Sequence, residues 1–236
     1  MSQETDDAPF EHTVHIFAGG TVFHVRPHLA LTAPAGGQVG HDLHDILIRG
    51  VGPGGIRFEN TIAKIHSCQG LTNADVAQKI DELVADPKTK IIFMAAALCD
   101  FEGFILDEDT DEPTASGKDR PRLRTTFQPR VGPPQPIEYM MKLKPADKII
   151  GRIRKERKDI FLVGFKTTAG ATPDQQFRAG LGLLKQSSCN LVLANDVHTR
   201  LNMVITPEEA RYHETTDRRE ALKGLCDMAI RRSQLR

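Results

Sequence analysis

Apolar residues along this chain fall into short runs that alternate with stretches of helical spacing. "HTVHIFAGG" reads as a buried strand running into glycines, and after an irregular stretch "GGQVGHDLHDILIRG" repeats apolar residues at Val39, Leu43, Ile46 and Leu47, one face of a helix. "GVGPGG" breaks that helix. "IRFENTIAKIHS" fits one strand or two. In "TNADVAQKIDELVADP", Thr72 or Asn73 is the N-cap, Val76, Ile80, Leu83 and Val84 form the apolar face, and Pro87 ends the helix. The most apolar run follows, "KIIFMAAALCDF", predicted as a central strand.

Residues 102–135 are rich in Asp, Pro, Gly and Arg and hold no sustained period, which predicts a long excursion, functional or disordered, containing one hairpin strand, "RLRTTFQ". Beyond it, "IEYMMKLK" predicts a strand, "ADKIIGRIRKERKD" a helix with a basic outer face, and "IFLVGFKTT" a buried strand. "TPDQQFRAGLGLLKQSS" opens with Thr172 as N-cap, Pro173 at the first helical position and Gln175 three residues after the cap, a strong helix start. The strands "NLVLAND" and "MVITP" and the helix "RREALKGLCDMAIRRS" complete the order. Strands alternating with helices predict an α/β sandwich with a mostly parallel central sheet. The simplest division is a disordered tail over 1–11 and one unit over 12–236.

Composition narrows the function classes. The 236 residues, 39% of them hydrophobic, can fill a sizeable core. Thirty-one basic residues balance thirty-one acidic ones, so no global field favours nucleic acid or an anionic membrane surface. No run approaches the length of a membrane span, and the N-terminus "MSQETDDAPFEH" lacks the pattern of a secretion signal. Cys68, Cys99, Cys189 and Cys226 lie far apart with no C-x-x-C pair, which fits a reduced, cytoplasmic setting.

Three strands end in unusual chemistry: "FAGGT" at 17–21, "AAALCD" at 95–100 and "LANDV" at 193–197. In a parallel sheet such ends share one rim, where ligands bind. Small side chains there let a ligand reach the backbone, and a carboxylate just beyond accepts from a hydroxyl or amide. The alternative is that Ala95, Ala96 and Ala97 admit close helix packing while Asp100 caps a turn. "AGGT" and "PAGGQVG" put glycines near helix starts, where free amides favour anions, although neither has a G-x-G-x-x-G or G-K-[ST] spacing. His41 and His44 share a helix face at i, i+3, but no clear third ligand accompanies them, so no metal site is assigned. The runs "DEDTDE" and "RIRKERK" are expected to be solvated faces.

Six of these motifs, in order, resemble one family. "IFAGGT", then "VR", then "GGQVG" resembles the "ITAGGT", "VR", "SSGKMG" series of phosphopantothenoylcysteine synthetases, the phosphopantothenate-cysteine ligases of coenzyme A synthesis. "AAALCDF" resembles their "AAVADF", "SGKDRPRL" their lysine-rich flap, and "MKLKPADKII" their "L-K-x-T-P-D-I-L" segment. "LVGFKTT" is similar to "VVGFAAET" and "LVLANDV" to "LIVANDV". The resemblance runs from about His12 to the C-terminus.

It implies a Rossmann-like sheet in a homodimer that activates a carboxylate with CTP or ATP and Mg²⁺, then joins it to an amine. Small-molecule acid and amine substrates would be the partners. Residue by residue, it implies that Asp100 and Lys118 are catalytic, with Gly36, Gly37, Gly40, Ala96, Ala97, Phe165 and Asn195 beside the nucleotide; Lys185 is added to that group only for its nearness in sequence to two lysines the family carries there. Gly19, Gly20, Thr21, Arg26 and Arg120 would serve the substrate, Arg26 reaching toward the neighbouring subunit's substrate phosphate. The chain departs from the pattern at several positions. Thr32 and Ala33 stand where members carry an Asn, Ala35 and Gly36 where they carry Ser-Ser, and Gln38 in place of a lysine. Two lysines expected on the helix after "LVGFKTT" correspond to Leu183 and Ser187, with Lys185, Arg178 and Lys166 as nearby cations.

Overall fold

The computed structural model describes residues 12–49, 61–107 and 110–233. The expected tail, all of "GVGPGG" and the start of "IRFENTIAKIHS" lie outside them. The first half of the chain forms β1 (His12–Ala18), a hairpin of β2 (Val22–Arg26) and β3 (Leu29–Thr32), then α1 (Gln38–Arg49), β4 (Thr61–Ser67), α2 (Asn73–Ala85) and β5 (Thr89–Met94). The excursion holds β6 (Phe101–Ile105), β7 (Thr126–Phe127), β8 (Gln135–Pro136) and β9 (Met141–Pro145). The rest forms α3 (Ile150–Glu156), β10 (Phe161–Thr168), α4 (Pro173–Ser187), β11 (Leu191–Asp196), β12 (Asn202–Ile205), β13 (Arg211–Thr215) and α5 (Arg218–Ser233).

Seven strands build the central sheet in the order β13-β12-β11-β10-β5-β1-β4. β4, β1, β5, β10 and β11 run parallel, and β12 is antiparallel to both of its neighbours. After β1 the chain crosses to β4 at one edge, then returns to place β5 on the other side of β1. Strand order therefore reverses between β1 and β5, which opens a crevice at their carboxyl ends.

Both faces of the sheet are covered, which explains why its strands read as continuous apolar runs. On one face Val14, Ile16, Phe93 and Val163 pack with Leu43 and Leu47 of α1 and Leu222 and Leu225 of α5. On the other, Phe17, Ile92, Leu162 and Val192 pack with Val76 and Ile80 of α2, Ile153 of α3 and Leu184 of α4. The result is a Rossmann-like α/β sandwich. α2 and α4 begin with complete capping boxes, Thr72 with Asp75 and Thr172 with Gln175, as their sequences predict.

Two regions differ from expectation. The stretch after β1 forms the β2–β3 hairpin, which is too short, and in β3 too exposed, to show an alternating pattern. The helix predicted over "ADKIIGRIRKERKD" is confined to α3, because Arg157 takes an extended backbone and turns its guanidinium to Asp159, Val84 O and Asp86 O. Nor is "RIRKERK" a simple solvated face. Arg154 donates to the carbonyls of Ser188, Lys158 and Ile160 and to the Asn190 side chain, locking α3 to the start of β10 and β11.

His15 of β1 and His66 of β4 share one hydrogen bond, Nδ1 to Nε2 at 2.9 Å. Burial, with His66 and Lys64 nearby, lowers the His15 imidazole to about 4. Burial, with Lys79 and Lys64, lowers His66 to about 4 as well. Both rings are thus neutral when folded and take up protons on unfolding below about pH 6.5. Stability from this pair is full above 6.5 and is lost as pH falls toward 4. The melting temperature is expected to fall by roughly 5 °C between pH 7 and pH 5, a step that His66→Asn should flatten in a differential scanning measurement.

Candidate functional site

The β1–β5 crevice is floored by main chain. The glycines after β1 and the alanines after β5 form a ladder in which Ala95 N donates to Phe17 O at 2.9 Å, Ala97 N to Gly19 O at 2.9 Å and Thr21 N to Ala97 O at 3.0 Å. Gly20 and Ala97 make an isolated parallel bridge. Gly19 needs its glycine because its φ is +95°. Gly20 needs one because a Cβ there would sit 1.7 Å from the carbonyl oxygen of Ala33.

The same rim receives α1. Gly37 has φ +81°, and a Cβ on it would lie 3.4 Å from Gly19 N. A Cβ on Gly40 would meet the Ala18 Cβ at 2.3 Å, so this glycine lets the helix settle directly on β1. Gly36 differs from both, since a Cβ there would meet nothing within 4 Å. The first turn of α1 holds no acidic residue to offset the positive end of its dipole.

Thr21 is wholly committed to structure. Its hydroxyl donates to Asn73 Oδ1 at 2.6 Å and accepts from Cys99 N at 2.8 Å, while Asn73 Nδ2 donates to Cys99 O at 2.8 Å. This knot ties β1, the start of α2 and the end of β5. Asp100 follows it on the surface, accepting from Lys148 Nζ at 2.5 Å. Ala146 N donates to Asp100 O at 2.8 Å, fastening the strand end to the foot of β9.

Farther along the rim, Phe165 is half-buried against the α1 and α5 core. Asn195, directly beside Thr167 in the register, is buried and accepts from the Thr167 hydroxyl at 3.1 Å. Its neighbour Asp196 escaped the sequence reading. That carboxylate, 2% exposed, accepts from the amides of Gly170, Ala171, His198 and Thr199 and from the Thr168 hydroxyl. The Thr199 amide, then those of Ala171 and Gly170 with the Thr168 hydroxyl, hold it far below the usual carboxylate range. It organises both loops that leave β10 and β11. A carboxylate at the end of a fully buried strand was the available signal.

The structure does not bring Lys185 to this group. Twelve residues down α4 from Pro173, it lies about 18 Å along the helix axis and pairs with Glu209 at 2.6 Å. Leu183 faces Gly164, and Ser187 is buried. At the rim itself, Lys166 is exposed at the end of β10, and Lys148 sits against Asp100.

The flap is larger than expected. β6 pairs with β9 and β7 with β8, so the excursion spans 101–145, and "IEYMMKLK" supplies its return strand instead of a strand of the central sheet. Lys118 and Arg120 are exposed on it. Arg26 turns inward to hold the flap, donating to Val25 O at 2.8 Å, Ala115 O at 2.9 Å and Thr114 Oγ1 at 2.7 Å.

Among the described residues, no group of three or more His, Cys, Asp or Glu could hold a metal ion, and no helix is long and apolar enough to cross a membrane. The four cysteines are free and buried, and burial raises the thiols of Cys68 to about 11 and Cys189 to about 12. Cys68 and Cys189 are therefore poor nucleophiles.

No family model matches this sequence. It is 22% identical, over 185 residues and 77% of its length, to the coenzyme A biosynthesis bifunctional protein CoaBC of Thermococcus kodakarensis, and that match spans 40% of the relative. Its fold matches the DNA/pantothenate metabolism flavoprotein of Streptococcus pneumoniae, with a TM-score of 0.67, 16% identity and coverage of 94% and 99% of the two chains. It also matches the C-terminal domain of a CoaBC protein, at a TM-score of 0.61 and 11% identity over 96% and 98%. A Cab2 mutant in complex with phosphopantothenate-cysteine scores 0.60 at 13% identity, over 95% and 89%. The resemblance to phosphopantothenoylcysteine synthetases is thus present in fold and, weakly, in sequence.

Proposed function

We propose that this chain is a nucleotide-dependent acid-amine ligase of the phosphopantothenate-cysteine type, working as a homodimer. The observation that carries the reading is the Gly20–Ala97 bridge across the crevice where strand order reverses, with the positive end of α1 against Gly19. In the first half-reaction a carboxylate oxygen attacks the α-phosphorus of CTP or ATP. The bond from that phosphorus to the β-phosphate oxygen breaks, and pyrophosphate leaves. In the second, the amine attacks the acyl carbon, the nucleoside monophosphate departs with the bonding electrons, and the amine loses a proton. This chemistry asks for fixed donors around the phosphates more than for a strong base.

The chain's residues take these parts. Amides at the start of α1, from Gly37 onward, receive phosphate oxygens; Ala96 and Ala97 leave room for the nucleotide, with Phe165 beside the base. Lys118 closes from the flap onto the phosphates, and Asp100 orients the acid or the ribose. Magnesium enters with the triphosphate oxygens as part of the co-substrate, since no resident carboxylate cage accompanies the rim among the described residues. Release of pyrophosphate that requires acid, amine and nucleotide together, assayed with CTP, ATP, GTP and UTP against phosphopantothenate and cysteine, tests the proposal. Asp100→Ala and Lys118→Ala are each expected to cut that rate by about tenfold or more at saturating nucleotide. Both residues are exposed, so melting should change little.

One observation favours a second reading, a binding protein on the same fold that holds a nucleotide without turnover. Leu183 and Ser187 turn toward the sheet and Lys185 is tied to Glu209, so the expected lysines of α4 are missing from the rim. Calorimetric binding of a nucleotide with no pyrophosphate under any substrate combination would decide for it.

A further inference from the structure

Asp100 stands just past the end of β5, and among the described residues its carboxylate meets one donor, the Lys148 ammonium, at 2.5 Å from Oδ1. Oδ2 meets none of them. Lys148 comes 48 residues later in the chain, on the far side of the flap.

The backbone under each half of this pair is fixed. On the aspartate side, Cys99 N donates to Thr21 Oγ1 at 2.8 Å and to Asn73 Oδ1 at 3.2 Å, Ala146 N donates to Asp100 O at 2.8 Å, and Phe101 pairs with Pro145. On the lysine side, the chain leads straight into α3. Buried Ile149, Ile150 and Ile153 seat that helix, and Arg152 donates through Nε and Nη2 to the two oxygens of Asp81 on α2, at 3.2 and 2.8 Å. Both side chains therefore start from anchored positions.

The pair does little to hold the fold. The lysine side chain is 76% exposed and the aspartate 66%, and an ion pair in water stabilises weakly. What it fixes is direction. A carboxylate without a partner turns about two side-chain bonds and spreads its oxygens over several orientations, whereas one oxygen held on an ammonium leaves the other as the single acceptor on offer. Groups that act on a reacting ligand work only when their neighbours hold them in such a geometry.

We infer that Lys148 is the positioning residue of Asp100: it grips Oδ1 so that Oδ2 is presented to the ligand in one orientation. Lys148 touches no reacting atom in this role, and its effect runs entirely through Asp100. Only the reaction it serves rests on the ligase reading.

A double-mutant cycle tests the assignment. Lys148→Ala should lower kcat and kcat/KM for pyrophosphate release together, by about tenfold, and Lys148→Arg should recover most of the loss. Added to Asp100→Ala, the Lys148→Ala exchange should change the rate by less than about twofold, because nothing is left to position. Each variant should melt within about 1 °C of the parent, since both side chains are exposed. Parent rates in Lys148→Ala, or a further loss of about tenfold in the Asp100→Ala background, would overturn the inference while leaving the ligase reading intact. Nucleotide binding with no pyrophosphate release by the intact chain would sink the ligase reading instead. The same cycle, read by calorimetry as affinity for CTP or ATP with magnesium, then decides on Lys148: a loss of affinity that disappears in the Asp100→Ala background upholds it, and additive losses or none overturn it.

Discussion

Replacing Gly20 with alanine is expected to cost about 3 kcal/mol or more and to lower the melting temperature by roughly 10 °C. The added Cβ would stand 1.7 Å from Ala33 O, 2.9 Å from the Ala33 carbonyl carbon and 3.1 Å from Ala35 N. All three are backbone atoms, so no side chain can rotate away. Relief requires moving residues 33–35, which lead into α1 and whose Ala33 N donates to Thr21 O at 2.9 Å. The same shift would draw Gly37 off Gly19 and open the crevice, so nucleotide binding should vanish along with stability. Gly36→Ala is the control: its Cβ would meet nothing within 4 Å, and it should change melting by less than about 1 °C. Denaturant unfolding with matched slopes checks both.

The second large effect concerns Asp196. Substitution by alanine removes the acceptor shared by four backbone amides and the Thr168 hydroxyl, leaving donors of both rim loops unsatisfied. The expected outcome is a melting temperature lower by roughly 10 °C and loss of order in the loops after β10 and β11. Its pH dependence follows from the depressed folded-state value. The carboxylate's contribution is complete above about pH 4 and disappears as pH falls through its lower folded value. Acid unfolding of the parent below pH 4 should therefore be steeper than that of the variant. The histidine pair acts earlier, between pH 6.5 and 4, so a stability profile against pH should show two separate declines.

Much of this was legible in the sequence, for reasons that differ from place to place. Buried parallel strands are apolar on both faces, so β1, β5, β10 and β11 stood out as runs, and the Thr72 and Thr172 caps wrote the starts of α2 and α4 directly. Gly19, Gly20 and Gly37 were noticeable because close backbone approach demands glycine, although the sequence alone could not separate them from Gly36, whose surroundings are open. Short exposed strands were hidden. β3, β7 and β8 bury little, and a strand without a buried face has no period to read.

Side-chain commitments were hidden as well. Nothing local distinguishes Asn195 from Asp196, and only the tertiary loops reveal which of them collects the amides. Arg154 read as part of a solvated face and Arg26 as an arm toward a substrate phosphate, yet each fastens carbonyls from segments distant in sequence. Lys185 was chosen by proximity along the chain, but the length of α4 carries it away from the rim.

A crystal structure of the chain with a nucleoside triphosphate and magnesium would test the central proposal most directly. The account predicts phosphates against the amides at the start of α1, beside Gly19 and Gly37, with the base between Ala97 and Phe165. A nucleotide bound at the β13 edge with the rim unfilled would contradict it.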